Sequence, residues 1–258
     1  MLSEELLRQC TLCPRACGVD RLAGQRGYCG AAADVTAARA ALHLWEEPCL
    51  VGANGAGTVF FTGCSMGCVF CQNDRISRKT EGESLTPARL AEIFLDLQAR
   101  GAANIDLVTP THYVVPIAEA LIRAKAEGLH IPVVYNCGGY ESVAVLRSLE
   151  GLIDIYMPDF KFWKTETAAQ LAHAPNYPEA ARNAIREMFR QRGPARFYDD
   201  GTMKSGVLVR HLVLPGHTKE AIAILKWLAE EFRDGIFISL MDQYTPIPGI
   251  PEEFGMSR

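Results

Sequence analysis

No run of about 18 apolar residues occurs anywhere in this chain, so nothing in it reads as a membrane span. The amino terminus, Met1-Leu2-Ser3-Glu4-Glu5-Leu6-Leu7-Arg8, lacks the basic region and following apolar stretch of a secretory signal. Concentrated positive charge is missing too. The 26 Lys and Arg stand against 30 Asp and Glu, a formal charge of −4, whereas phosphate backbones require clustered cations. Neither a membrane nor a nucleic acid is an expected partner. Charged residues are few, 22% against 48% hydrophobic, which reads as globular and not disordered. The 258 residues suffice for one large α/β domain or two small ones.

Cysteine is what the chain has in quantity. Seven of the nine sit in two tight groups, a distribution typical of metal sites in a reducing compartment rather than of disulfides. The expectation is a cytoplasmic, oxygen-sensitive metalloprotein. Cys64, Cys68 and Cys71 form C-x3-C-x2-C directly after an apolar β-type run, Thr58 to Thr62. Three thiolates in so short a loop can hold three irons of a cubane and leave the fourth without a protein ligand. Electron-carrying 4Fe–4S sites use four cysteines, so an open iron is a place for a substrate to bind. The competing readings are a zinc loop and three buried thiols, although zinc sites usually pair C-x2-C knuckles and close with a fourth ligand. Cys10, Cys13, Cys17 and Cys29 form a second set, C-x2-C-x3-C-x11-C. It suits a structural zinc or an auxiliary Fe–S cluster, and its spacing does not choose between them.

From the first loop onward, β-type runs alternate with helical patterns. Strands are expected at 58–62, 105–109, 131–135, 153–157, 207–214 and 236–240. Helices are expected at 86–100, 116–127, 142–149 and 219–232, with helical stretches over 165–192 broken near Pro175. This alternation implies right-handed βαβ units and a parallel sheet, with about six repeats rather than the eight of a complete barrel. Polar or glycine-rich segments recur after the strands, as expected where loops at one face of a barrel build a pocket.

The cysteine loop, including Phe70 before the last cysteine, resembles the signature of the radical S-adenosylmethionine (SAM) superfamily. Together with Glu46-Glu47-Pro48, Gly55-Ala56-Gly57-Thr58, Phe60-Phe61 and Gln72-Asn73, it is similar to the PflX-like branch related to pyruvate formate-lyase activating enzyme. That resemblance implies an α/β fold, a partial (β/α)6 TIM-like barrel over 51–258, behind a small Cys-rich metal-binding extension over 1–50. It implies an enzyme that cleaves SAM reductively at a 4Fe–4S cluster to a 5′-deoxyadenosyl radical and activates a glycyl-radical enzyme. The electron donor would be a flavodoxin or ferredoxin. Radical modification of a small molecule or peptide is the alternative enzyme reading, and an Fe–S carrier or scaffold the non-enzyme one.

The resemblance also implies roles. Cys64, Cys68 and Cys71 would ligate the cluster and Phe70 would pack near the adenine. Asp159, Lys161, Arg210 and Asn136 would contact SAM. An ammonium suits its carboxylate and a carboxylate its ribose hydroxyls. A Gly-Gly-Glu element usual after the second strand is replaced here by Thr109-Pro110-Thr111-His112, so Thr109 or Thr111 would take the SAM amino group. His112, Tyr113, Cys137, Tyr140 and Gln243 are the substrate candidates, with core packing the competing reading for Cys137. The resemblance would extend some tens of residues past Gln243-Tyr244, whereas the sequence stops at Arg258.

Overall fold

The structure is a computed structural model and describes residues 4–78 and 81–247. The last eleven positions, on which the expectation about the sequence's end falls, lie outside the described residues. In chain order the strands are β1 (Val35–His43), β2 (Ala56–Phe61), β3 (Glu83–Leu85), β4 (Ile105–Val108), β5 (Val133–Cys137), β6 (Ile155–Pro158), β7 (Arg196–Phe197), β8 (Met203–Leu212) and β9 (Phe237–Met241). The helices are α1 (Glu5–Arg8), α2 (Pro48–Val51), α3 (Asp74–Arg78), α4 (Pro87–Ala99), α5 (Val114–Ala126), α6 (Val143–Ser148), α7 (Thr165–Ala172), α8 (Tyr177–Arg192) and α9 (Thr218–Phe232).

Six strands run parallel in the order β2-β4-β5-β6-β8-β9. Helices precede each return to the sheet, as parallel strands require. The fold is therefore α/β, an open partial (β/α)6 barrel. Among the described residues β9 pairs with β8 alone, so the parallel set does not close. β5 (Val-Val-Tyr-Asn-Cys) is buried at every position, as befits a central parallel strand covered on both faces.

Helix placement follows local chemistry. In α4 the Thr86 side chain accepts the Arg89 N–H at 3.2 Å, Pro87 takes the first turn, and Leu90, Ala91, Phe94 and Leu97 are buried. The break near Pro175 is real: α7 stops at His173, a left-handed residue with φ 52°, and α8 begins at Tyr177. Among the described residues, no helix is long and apolar enough to cross a membrane.

Three differences from the expected elements matter for function. The third strand of the parallel set runs from 133 to 137 rather than 131 to 135, so Asn136 and Cys137 are strand residues and not loop residues after it. The 109–113 segment is not an open loop, because Thr111–Tyr113 form a 3-10 turn that runs straight into α5. Sequence reading also missed β1, which pairs antiparallel with β2 and β3 and widens the sheet beyond the barrel. β1 carries Ala-Ala-Arg-Ala-Ala at its centre and has little of the branched or aromatic character that marks a strand.

Candidate active site

β2 delivers the three-cysteine loop to the carboxyl end of the sheet. Gly63 and Gly67 have positive φ of 83° and 68°. A Cβ at Gly63 would lie 2.5 Å from the Cys29 carbonyl oxygen, and one at Gly67 2.5 Å from the Tyr28 hydroxyl. Only glycine permits both the turn and this close approach. Arg15 locks the loop from outside, donating to the carbonyls of Ser65 (2.5 Å) and Met66 (3.2 Å), and to Ala172 and His173 at the end of α7. Its guanidinium stacks 3.5 Å above the Tyr28 ring.

Cys64, Cys68 and Cys71 are free thiols facing one cavity of about 230 Å³. Burial pushes the Cys68 thiol up to about 12 against the pull of Lys161, and raises Cys64 as well. Without a bound cation these sulfurs keep their protons, so ligation must release them. Phe70 sits at the cavity rim, edge-on to Phe162 with ring centroids 6.0 Å apart.

The same cavity is lined by a buried ionic network. Lys161 Nζ donates to Asp159 Oδ2 at 2.6 Å, and Arg210 Nε donates to Asp159 Oδ1 at 3.1 Å. Arg210 also donates to Asn136 Oδ1 (2.7 Å) and to Glu46 Oε1 (3.3 Å). The strands set this arrangement, because Asp159 bridges to Arg210 at the ends of β6 and β8. Burial opposes the charge on Asp159, but Lys161 and Arg210 overcome it and hold the carboxyl below its usual value. Tyr177 OH fixes the loop by accepting the Lys161 backbone N–H at 2.8 Å. Gly139 (φ 76°) lets the neighbouring turn approach, since a Cβ there would collide with the Asp159 carbonyl.

Beneath the network lies Asp106 of β4, register neighbour of Thr58. Its Oδ2 receives Thr58 Oγ1 at 3.4 Å and Asn136 Nδ2 at 3.5 Å, and its Oδ1 is buried with no partner. Burial, then the Glu46 charge, raises Asp106 well above the usual carboxylate range, against the pull of Arg210. Sequence reading assigned no role to Glu46 or Asp106. The available signal was a lone acid in the apolar run Ile105-Asp106-Leu107-Val108, costly to bury unless it is paired.

A second buried acid, Glu141, was also missed. It accepts Thr111 Oγ1 at 2.7 Å and Tyr135 OH at 3.0 Å, and it neighbours Cys137. Burial lifts it to about 7. Between about pH 4.5 and 7 the folded chain therefore holds a proton that the unfolded chain has lost, and stability falls as pH rises through that window. Glu141→Gln removes the penalty. The variant is expected to be more stable than the native chain above pH 7 by about 3 kcal/mol, with no gain near pH 4. Urea unfolding at pH 4 and pH 8 checks this. Equal stability differences at the two pH values would show that Glu141 is not the titrating group.

The expected SAM residues Thr109, Asn136, Asp159, Lys161 and Arg210 all line the thiol cavity, as does Cys137. Thr109 has φ 60°, a conformation costly for a β-branched residue, and its N–H donates to the Asn136 carbonyl at 2.8 Å. Gln243 lines an adjoining cavity of about 220 Å³ shared with Phe70, Asp159, Lys161 and Arg210. The structure does not bring His112, Tyr113 or Tyr140 to either cavity. His112 is 1% exposed, with Nε2 2.7 Å from the Thr62 carbonyl, and burial lowers it to about 4. Tyr113 packs on His112 and Phe61, and Tyr140 OH donates to Asn176 Oδ1 at 2.5 Å. As placed, these three are supports behind the site and not contacts within it.

The profile of the Radical SAM superfamily matches residues 58–228. The chain belongs to the radical SAM superfamily. An uncharacterized protein of Methanocaldococcus jannaschii is 28% identical to it over 254 residues, spanning 95% of this chain and 68% of that one. Among solved structures it is similar to SuiB of Streptococcus suis, with a TM-score of 0.50, 12% identity, and coverage of 75% of this chain and 40% of SuiB. SuiB bound to S-adenosylmethionine matches with a TM-score of 0.49 and 11% identity over 72% and 39% of the two chains. The chain thus spans about 40% of the length of these solved structures, and their likeness concerns the fold alone. Radical SAM membership implies a 4Fe–4S cluster and SAM, and the residues fit both. Three free thiols line one cavity, and the same lining supplies an ammonium, a guanidinium and a carboxylate in one hydrogen-bonded set.

Proposed function

We propose that this radical SAM protein cleaves SAM reductively and abstracts a hydrogen atom from a glycyl site on a partner enzyme. The observation that carries the SAM chemistry is the shared cavity, lined both by three thiols and by the Asp159–Lys161–Arg210–Asn136 network. A 4Fe–4S cluster with SAM bound would supply one-electron reductive cleavage of the sulfonium. Everything else is the chain's work. Cys64, Cys68 and Cys71 would hold three irons. Lys161 would present its ammonium to the SAM carboxylate, Asp159 would accept from ribose hydroxyls, and Thr109 and Asn136 would offer oxygens to the amino group. Phe70 gives the adenine an apolar wall and helps exclude water. The electron comes from a flavodoxin or ferredoxin.

The partner reading rests on the likeness of the signature loop and the Asp-x-Lys pair to activating enzymes. A second reading, modification of a peptide or small molecule, has its own support. Cys137 lines the cavity, and burial beside Glu141 raises its thiol far above the usual value. A thiol kept protonated there can give a hydrogen atom to a substrate radical, leaving a Cys137 thiyl radical that one electron from the flavodoxin or ferredoxin and one proton return to the thiol.

Reduced, cluster-loaded protein should convert SAM to methionine and 5′-deoxyadenosine. Lys161→Ala should weaken SAM binding by ~1–3 kcal/mol with iron content unchanged, as loss of a charged hydrogen bond predicts. Native affinity in that variant would remove Lys161 from the SAM site. Incubation with candidate glycyl-radical enzymes should give their doublet EPR signal. No doublet with any partner, together with 5′-deoxyadenosine formed in step with a modified peptide or metabolite, would establish the second reading instead.

A further inference from the structure

The short helix α3 follows the last cysteine of the loop and folds back over it. The Asn73 carbonyl opens the helix by accepting the N–H groups of Ile76 (3.0 Å) and Ser77 (2.9 Å). The Ile76 carbonyl then accepts the Gly63 N–H at 3.0 Å, which ties the residues just after the cysteines to the one just before them. Arg78 NH2 adds its bond to the Cys68 carbonyl at 3.1 Å. No residue of α3 is buried, yet Ile76 and Ser77 line the thiol cavity. Apolar packing therefore gives α3 little of its position, and polar ties to the cysteine loop give it more.

One of these ties reaches a ligand sulfur. Ser77 Oγ lies 3.4 Å from Cys71 Sγ. The same hydroxyl is 3.5 Å from the Asp74 carbonyl, at the outer limit of a hydrogen bond. A thiol and a hydroxyl can each donate to the other. A sulfur bound to iron has no proton to give, so in the loaded loop the serine would be the donor. A charged sulfur is also a better acceptor than the distant carbonyl. The other two sulfurs differ. Cys64 Sγ receives the Met66 N–H at 3.3 Å, a bond made by the backbone of the loop itself. Among the described residues no side chain donates to Cys64 or Cys68 Sγ. Ser77 is thus the side chain that adds a donor to the ligand sulfurs.

We propose that Ser77 is a positioning residue that raises the reduction potential of the cluster by donating to Cys71 Sγ. The proposal rests on the reading of Cys64, Cys68 and Cys71 as cluster ligands, and not on which substrate is modified. Reduction adds one electron, supplied by the flavodoxin or ferredoxin, and the added charge spreads onto the ligand sulfurs. A donor at one sulfur stabilises the reduced state more than the oxidised one. Hydrogen bonds to sulfur are among the terms that set such potentials, and the groups that orient ligands from behind tune the metal. The hydroxyl keeps its proton throughout, so the step moves an electron and nothing else. SAM cleavage starts from the reduced cluster, and Ser77 brings that state within easier reach of a weak reductant.

The test is a redox titration of the full-length, anaerobically reconstituted protein without SAM, read by EPR. The signal of interest is the one that C64A/C68A/C71A lacks. Ser77→Ala should keep the native iron content and move the midpoint to a more negative value. At a fixed potential the ratio of reduced to oxidised cluster should fall about tenfold, as loss of a hydrogen bond to a charged group predicts, or about 59 mV for one electron. Ser77→Thr keeps the hydroxyl and should return most of the shift. A native midpoint in Ser77→Ala would overturn the proposal. Equal shifts in Ser77→Ala and Ser77→Thr would overturn it too, because packing of α3 and not the hydroxyl would then be responsible. The two readings fail separately. A shifted midpoint in Ser77→Ala, with no SAM cleavage by native protein, would sink the proposed function and keep the role of Ser77. An unshifted midpoint beside ordinary SAM cleavage would sink Ser77 alone.

Discussion

Cys68→Ser is expected to abolish SAM cleavage while leaving the chain folded. Cys68 is the middle ligand of the loop and the most confined, 7% exposed and pushed up to about 12 by burial. A serine hydroxyl there is far harder to ionise than a thiol and a poorer ligand for iron. The loop does not depend on the sulfur for its shape. Its backbone is held by Arg15 on Ser65 and Met66, by Arg78 NH2 on the Cys68 carbonyl at 3.1 Å, and by Val69 N–H on the Leu171 carbonyl at 2.9 Å. Thermal stability of the apo chain should thus change by no more than about 1 kcal/mol. Formation of 5′-deoxyadenosine should fall below detection, and the SAM-responsive EPR signal should vanish. Ordinary turnover in Cys68→Ser, or in C64A/C68A/C71A, would refute the ligand assignment outright.

The barrel was legible in the sequence because its signals are local. Apolar runs alternate with capped amphipathic helices such as α4, and six β-type segments became six parallel strands. The cysteine loop and the Asp-x-Lys pair were legible because their spacing is short and chemical. What escaped were features decided by long-range packing. Glu46 reaches Arg210 across 164 positions of sequence and Arg21 reaches His112 across 91, and no window of residues reveals either contact. His112 and Tyr113 follow a strand, as pocket residues do, but the 3-10 turn buries them, with Arg21 donating to the His112 carbonyl, away from the cavity lining. Cys137 went the other way, because β5 runs two residues farther than its apolar pattern and ends inside the pocket.

Arg210→Ala is expected to cost both stability and SAM affinity. Arg210 ties four elements together: Asp159 after β6, Asn136 in β5, Glu46 before α2, and its own strand β8. Truncation leaves Asp159 with one cation in place of two and Glu46 with none. Breaking a buried pair by removing one partner costs about 3–5 kcal/mol. Side-chain exposures of 18% for Arg210 and 16% for Asp159 place the loss near the lower end, about 3 kcal/mol, or roughly 6–12 °C in Tm for a chain of this size. The pH dependence carries its own signature. Asp159 has a depressed folded-state pKa, so its contribution is present above its unfolded value and lost as pH falls through the folded one. Without Arg210 the folded-state value rises, and acid unfolding should begin at a higher pH than in the native chain. Arg210→Lys keeps the charge but not the fork that spans Asp159 and Asn136, so it should recover the acid limb better than the SAM affinity. Equal acid midpoints in native protein and Arg210→Ala would mean that Lys161 alone sets the state of Asp159, and the network would reduce to that single pair.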